Sequence, residues 1–134
     1  VLLYLLVFVN SVLIVSSAHK LIRDAEDGVI QPTEVITIEV LNGCGENNAA
    51  NNMSNKLNYL NYNVVSTGNA DHFSYEHTMI IDLGSDKERA VEKLRKDMGV
   101  SQDRVFLIRE ESEAEVRVIL GKDFENLKIY NTVP

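Results

Sequence analysis

Cysteine, proline and tryptophan are nearly missing from this chain: one Cys, two Pro and no Trp among 134 residues. The single thiol, Cys44, excludes an internal disulfide, and no Cys/His spacing of the zinc-ligand kind surrounds it. Cationic charge is also scarce. Thirteen Lys and Arg stand against 20 Asp and Glu, for a formal net charge of -7. That balance excludes a phosphate-backbone binder, which needs clustered Lys and Arg, so nucleic acid is not an expected partner. The sequence offers no nucleophile elbow and no arranged triad. The acids from Glu110 to Glu115 do not form a calcium loop. The expectation is therefore no catalytic residue, no metal and no cofactor.

One long hydrophobic run is present. Val1 to Ala18 carries no charge. As a helix rising 1.5 Å per residue it would span about 27 Å, close to a bilayer core. Two readings compete, a retained transmembrane anchor and a signal segment with Ser16 and Ala18 before a cut. The run is long for a signal, so the anchor is preferred. His19, Lys20 and Arg23 follow it and, taken alone, would hold that side inside. Residues 19–34 are polar, carry Gly28 and Pro32, and read as a tether.

Beyond the tether the pattern becomes that of a small α/β domain. Ile36, Ile38 and Val40 alternate with Thr37 and Glu39, the period of a half-buried strand. The Asn42-Gly43-Cys44-Gly45 turn leads into a helix with Ala50, Met53, Leu57 and Leu60 on one face. Its other faces are rich in Asn, which makes it a poor helix by propensity and one that depends on packing. Val64-Val65-Ser66 is a second strand, parallel to the first if the crossover is right-handed. After a loop over Thr67 to His77, a third strand runs from Thr78 to Leu83. Ser85 and Glu88 have the spacing of a capping box for a helix from Asp86 to Met98, stopped by Gly99. Strands at Arg104 to Ile108 and Val116 to Leu120 follow. The predicted order is β-α-β-β-α-β-β, a small two-layer α/β sandwich of two βαβ-like units, with residues 125–134 as a C-terminal tail.

Three segments carry a family likeness. They are Val40-Leu41-Asn42-Gly43-x-Gly45, then Thr67-Gly68-Asn69-Ala70-Asp71-x-Phe73-x-Tyr75-x-x-Thr78, and Ile119-Leu120-Gly121-x-Asp123. Over residues 35–124 the chain resembles the LytR C-terminal domain. That module is found at the extracytoplasmic end of LytR-CpsA-Psr cell-envelope proteins, and also alone behind one transmembrane helix. The chain departs from the family pattern at Asn48, where a third small residue is common. It contains no counterpart of the catalytic LytR-CpsA-Psr domain that attaches glycopolymers to peptidoglycan. The resemblance thus implies an extracytoplasmic binding or accessory domain on a single-pass anchor in the cytoplasmic membrane, without chemistry of its own. Its expected partners are the membrane, through the hydrophobic segment, and a cell-wall glycopolymer or an envelope protein. An enzyme acting on envelope glycopolymer through Asp71, His72 or Asp123 is an alternative, as is a docking subunit that uses an exposed sheet edge such as the last strand.

The candidate ligand-binding residues are Asn42, Gly43 and Gly45 in the first turn, with Asn69 and Asp71 in the following loop. Gly43-x-Gly45-x-x-Asn48 resembles the start of a dinucleotide fingerprint, but Val65-Ser66-Thr67 stand where its acidic residue belongs. A structural turn is the preferred reading. Leu41-Asn42-Gly43-Cys44 matches a lipobox only by letters, since a polar tether and a strand separate it from the hydrophobic run. Phe73 and Tyr75 read either as a pin holding their loop to the sheet or as a sugar-stacking platform.

Overall fold

The computed structural model describes Val1, Tyr4 and residues 34–134. The expected anchor, apart from Val1 and Tyr4, and the tether up to residue 33 lie outside the described residues. Among the described residues no helix is long and apolar enough to cross a membrane. Glu34–Pro134 forms one compact unit.

The elements run β1 (Thr37–Asn42), α1 (Ala49–Tyr59), β2 (Asn63–Asn69), β3 (Met79–Asp82), α2 (Glu88–Met98), β4 (Val105–Leu107), β5 (Val116–Leu120) and α3 (Lys128–Thr132). Short 3-10 turns precede β4 at Gln102–Arg104 and α3 at Phe124–Asn126. The strands form one five-stranded sheet in the order β2-β1-β5-β3-β4. β1 pairs in parallel with β2 and β5, β3 pairs in parallel with β4, and β3 meets β5 antiparallel. The predicted order of elements and the two-layer α/β class are therefore present, as two β-α-β units that run in opposite directions. What the sequence did not reveal is that the last strand lies between them. The last strand, expected as an example of an exposed edge, is the centre of the sheet; β2 and β4 are its edges.

Crossovers of this kind are right-handed. Because the two units step in opposite directions from antiparallel strands, right-handedness puts both helices on the same face, and the core shows that they are there. Ile38, Val40, Ile80, Val116, Val118 and Leu120 from the sheet meet Ala49, Ala50, Met53 and Leu57 of α1 and Ala90, Val91, Leu94 and Met98 of α2. Val40, Val118 and Ile80 stand in one row across three strands, all fully buried. Each such side chain contributes about 1.5–3 kcal/mol by leaving water. This packing, rather than propensity, sustains the Asn-rich α1.

The helix ends show which local signals the chain uses. Asn61, at φ 63°, takes the left-handed position that closes α1, and the Tyr62 amide donates back to the Leu57 carbonyl at 3.0 Å. Gly99, at φ 80°, closes α2 as predicted, with its amide on the Arg95 carbonyl at 2.9 Å. The predicted capping box does not form. Asp86 sits at φ 53°, outside the helical region, so α2 starts only at Glu88. Ser85 Oγ accepts from the Lys87 amide at 3.2 Å. The turn before it is organised by Asp82, whose Oδ1 accepts from the Gly84 and Ser85 amides at 3.0 and 2.8 Å.

Residues 125–134, expected as a tail, pack into the domain. Phe124, Leu127, Ile129 and Val133 are buried in the main core. The Phe124 and Tyr130 rings meet edge to face at 5.3 Å, and Lys56 of α1 lies 4.7 Å above Tyr130 while donating to the Val133 carbonyl at 2.7 Å. The opposite sheet face is covered more thinly. Ile81, Leu83 and Ile119 are buried there beneath Leu41, Met79 and Tyr75. Beside them Arg117 bridges Glu39 at 2.7 Å and Glu110 at 3.0 Å.

Candidate functional site

β1 ends at Asn42, whose side chain turns the chain. Its Oδ1 accepts from the Cys44 and Gly45 amides at 3.2 and 3.0 Å, and its Nδ2 donates to the Glu46 carbonyl at 2.7 Å. The Gly43 amide donates to the Leu120 carbonyl at 3.0 Å, and the Gly43 carbonyl accepts from the Tyr75 amide at 3.1 Å. No side chain fits at Gly43, because a Cβ would lie 2.6 Å from Tyr75 Cδ2 and 2.8 Å from the Leu120 oxygen. Gly45 takes φ 81° with Phe73 over it, and Asn48 takes φ 61° at the start of α1. Asn is among the few residues with a side chain that enter this left-handed region readily. That accounts for Asn standing where the family pattern has a small residue.

The other two motif segments close onto this turn. The Thr78 amide and hydroxyl both donate to Asp123 Oδ1, at 2.7 and 2.8 Å, and Thr78 Oγ1 accepts from the Gly121 amide at 3.1 Å. Arg104 donates to Asp123 Oδ2 at 3.0 Å. The Tyr75 hydroxyl donates to Asp71 at 2.8 Å, and the His72 ring stacks on Tyr75 at 4.3 Å. The Tyr75 bond holds the Asp71 carboxyl below its usual range and raises the Tyr75 hydroxyl. Tyr75 acts as the pin that fastens the loop, while Phe73 remains half-exposed. Cys44 is buried, its thiol on Asn42 Oδ1 at 3.2 Å.

These contacts assign the motif residues to architecture. Every side-chain polar atom of Asn42 is already bonded within its own turn, and Gly43 is shielded by Tyr75. Asp123 serves Thr78 and Arg104, whereas Asp71 and His72 sit on an exposed loop and bond Tyr75 and each other. Asp123 and the Asp71–His72 pair thus have separate hydrogen-bond partners. Among the described residues no group of three or more His, Cys, Asp or Glu side chains is placed to hold a metal.

A concave surface lies alongside, between α1 and β2. A depression of about 250 Å³ is lined by Asn42, Asn48, Ala49, Ala50, Asn51, Thr67, Gly68 and Asn69. A second, of about 400 Å³, continues through Asn51, Ser54, Asn55 and Val64 to Thr67. Asn51 and Thr67 belong to both, and the Thr67 hydroxyl donates to Asn51 Oδ1 at 3.1 Å. Of the expected site residues, Asn42 and Asn69 face each other in the β1–β2 register and line this groove. Gly43, Gly45 and Asp71 do not line it. Asn48 and Thr67 appeared in the sequence only as motif residues, and Asn51, Ser54 and Asn55 were not singled out from it. Their one signal was the density of Asn on α1, which reads equally as a weak helix.

The domain is thus a mixed-sheet α/β module whose recurring Gly, Asn, Thr and Asp residues knot the ends of β1, β3 and β5 together. The chain belongs to the LytR_C family, described as LytR cell envelope-related transcriptional attenuator, which matches residues 35–124. Membership makes it an extracytoplasmic, cell-envelope-related domain. Among solved structures, it is similar to the soluble domain (residues 71–217) of a conserved hypothetical secreted protein from Mycobacterium marinum. The two share 19% identity at a TM-score of 0.50, over 71% of this chain and 69% of that one, which shows a common fold. No curated protein matches the chain.

Proposed function

We propose that the chain is a membrane-anchored accessory domain that holds an uncharged, polyhydroxylated envelope glycan in the groove between α1 and β2 and performs no reaction of its own. The observation that carries this reading is the groove's lining. A quarter of the chain is charged, yet the lining residues are all uncharged, and most bear a carboxamide or a hydroxyl. Such groups both donate and accept, as sugar hydroxyls do. An anionic polymer would meet no Lys or Arg there and would approach a chain of net charge -7, which disfavours it. The groove is open along its length, a shape suited to a polymer passing over it. The hydrophobic run over residues 1–18 supplies the anchor.

Titration with a neutral N-acetylglucosamine oligomer, followed by amide chemical shifts, tests the binding. Perturbed amides should cluster on α1 and β2. Asn51→Leu should weaken binding by about 3- to 10-fold, the worth of one hydrogen bond. Shifts elsewhere, or none at millimolar oligomer, would refute the assignment. A C-terminal reporter that works only in the cytoplasm should be silent, and activity would refute the placement.

A further inference from the structure

The two sheet edges are unlike. β2 is polar at its edge and is bulged, since Ile38 and Glu39 of β1 pair with Val64 and Ser66 and leave Val65 unmatched. Bulges and charges are the usual protections of a free edge. β4 has neither within it. It is flanked by Arg104 and Arg109, and between them Phe106, Leu107 and Ile108 are 45%, 63% and 49% exposed. Three consecutive large apolar residues, two in β4 and one just after it, along a free sheet edge form a template for another strand.

We propose that this edge pairs with the β4 edge of a second copy of the chain, antiparallel, with Leu107 on the two-fold axis. The backbone restricts the register. The Ile108 and Glu110 amides donate to the Asp82 and Leu83 carbonyls of the β3 side, at 2.9 and 3.4 Å. Even-numbered residues therefore turn their backbone groups inward, and Val105, Leu107 and Arg109 turn theirs outward. Outward groups must meet outward groups, so Leu107 can face itself while Val105 faces Arg109. In that register Phe106 lies opposite Ile108 of the other copy on the same face, in the closer, non-hydrogen-bonded kind of pair. Phe106 and Ile108 thus meet across the seam on one face, and the two Leu107 side chains meet on the other. Arg104 of each copy comes alongside Glu110 of the other, so the ends carry opposite charges. Moving the axis to Phe106 sets Ile108 against Arg104, and moving it to Ile108 sets Phe106 against Glu110. A second copy matches this edge in hydrogen bonding, apolar contact and charge at once. So short a pairing buries little area and needs high local concentration to form.

The test is cross-linking of the full chain in its membrane with a short bismaleimide. Cys44 is buried, so an introduced cysteine is the reactive thiol. Leu107→Cys should give a product of twice the chain mass, and Val65→Cys on the opposite edge should not. Adding Phe106→Lys to Leu107→Cys should abolish the product, and adding Ile108→Glu as well should restore it, because position 106 of one copy faces position 108 of the other. Equal yields at positions 65 and 107 would overturn the proposal. So would a product containing a different protein, or failure of the third change to rescue.

Discussion

Gly121 lies where the end of β5 crosses the chain entering β3, and Gly121→Ala would put a methyl group inside that crossing. An added Cβ would lie 2.6 Å from His77 Cα and overlap the His77 nitrogen and carbonyl carbon, all main-chain atoms. No side-chain rotation can relieve this. Either β5 or the residue 77 backbone must move, and two hydrogen bonds depend on their positions. These are Gly121 N to Thr78 Oγ1 at 3.1 Å and Lys122 N to the Tyr75 carbonyl at 2.9 Å. Overpacking costs about 1–3 kcal/mol, and each bond lost adds about 1 kcal/mol. The expected loss is therefore about 2–5 kcal/mol, a large share of the roughly 5–15 kcal/mol that holds a domain of this size. At about 4–8 °C per kcal/mol, the thermal midpoint should fall by at least about 8 °C. Gly68→Ala is the control. Its Cβ would meet only Leu41 Cδ2 at 3.4 Å, the end of a movable side chain in an exposed strand. Its midpoint should stay within about 4 °C, as for a change of at most 0.5 kcal/mol. Thermal unfolding followed by far-UV circular dichroism measures both. A Gly121→Ala midpoint within a few degrees of the parent would refute the claim that this crossing is rigid.

Deletion of residues 127–134 removes Leu127, Ile129 and Val133 from the core, so the shortened chain should show no cooperative urea transition. Asn48→Gly should be neutral to slightly stabilising, whereas Asn48→Ala, at φ 61°, should cost about 1 kcal/mol by urea denaturation. The carboxyl of Glu92 is held down to about 2 by the Arg95 guanidinium; those of Asp97 and Glu115, although burial raises them, are lowered on balance by Lys93 and Tyr62 and by Lys87 and Thr37. Depressed carboxyls bind protons less readily folded than unfolded, so stability is complete above about pH 4.5 and declines towards pH 2, which the urea midpoint against pH should show. Burial, then the Asp97 bond, raises the Tyr62 hydroxyl well above its ordinary 10.0. Its contribution is present below pH 10 and lost above it, and absorbance titration should reveal a late tyrosine that Tyr62→Phe removes.

Much of the fold could be read locally. β1 shows its period, α2 its apolar stripe and Gly99 stop, and the two β-α-β units their order. The position of β5 could not be read, because pairing Ile38 with Val116 is a contact between segments distant in sequence that no local pattern encodes. The capping box failed for a related reason: Asp82, in the preceding strand, holds the amides of the turn, and Asp86 leaves the helical region. Phe124, Leu127, Ile129 and Val133 sit in a segment too short and irregular to show a period, so nothing local marks it as core rather than tail. At the site, the glycine and asparagine turn is visible in sequence because its geometry demands those residues. The groove is not, since its walls come from one face of α1 and the edge of β2, and neither shows that it faces the other.

The central place of β5 has a temporal consequence. A chain delivered from its N-terminus holds two incomplete β-α-β units until residue 120 has emerged, and only then can the sheet close across its middle. Until that moment the apolar faces of β1 and β3 have no shared neighbour. Closure over so long a loop makes folding slow relative to helix formation. Such an order of events suits a polypeptide that crosses a membrane unfolded, since β5, the last of the five strands to arrive, is the one that joins the other four.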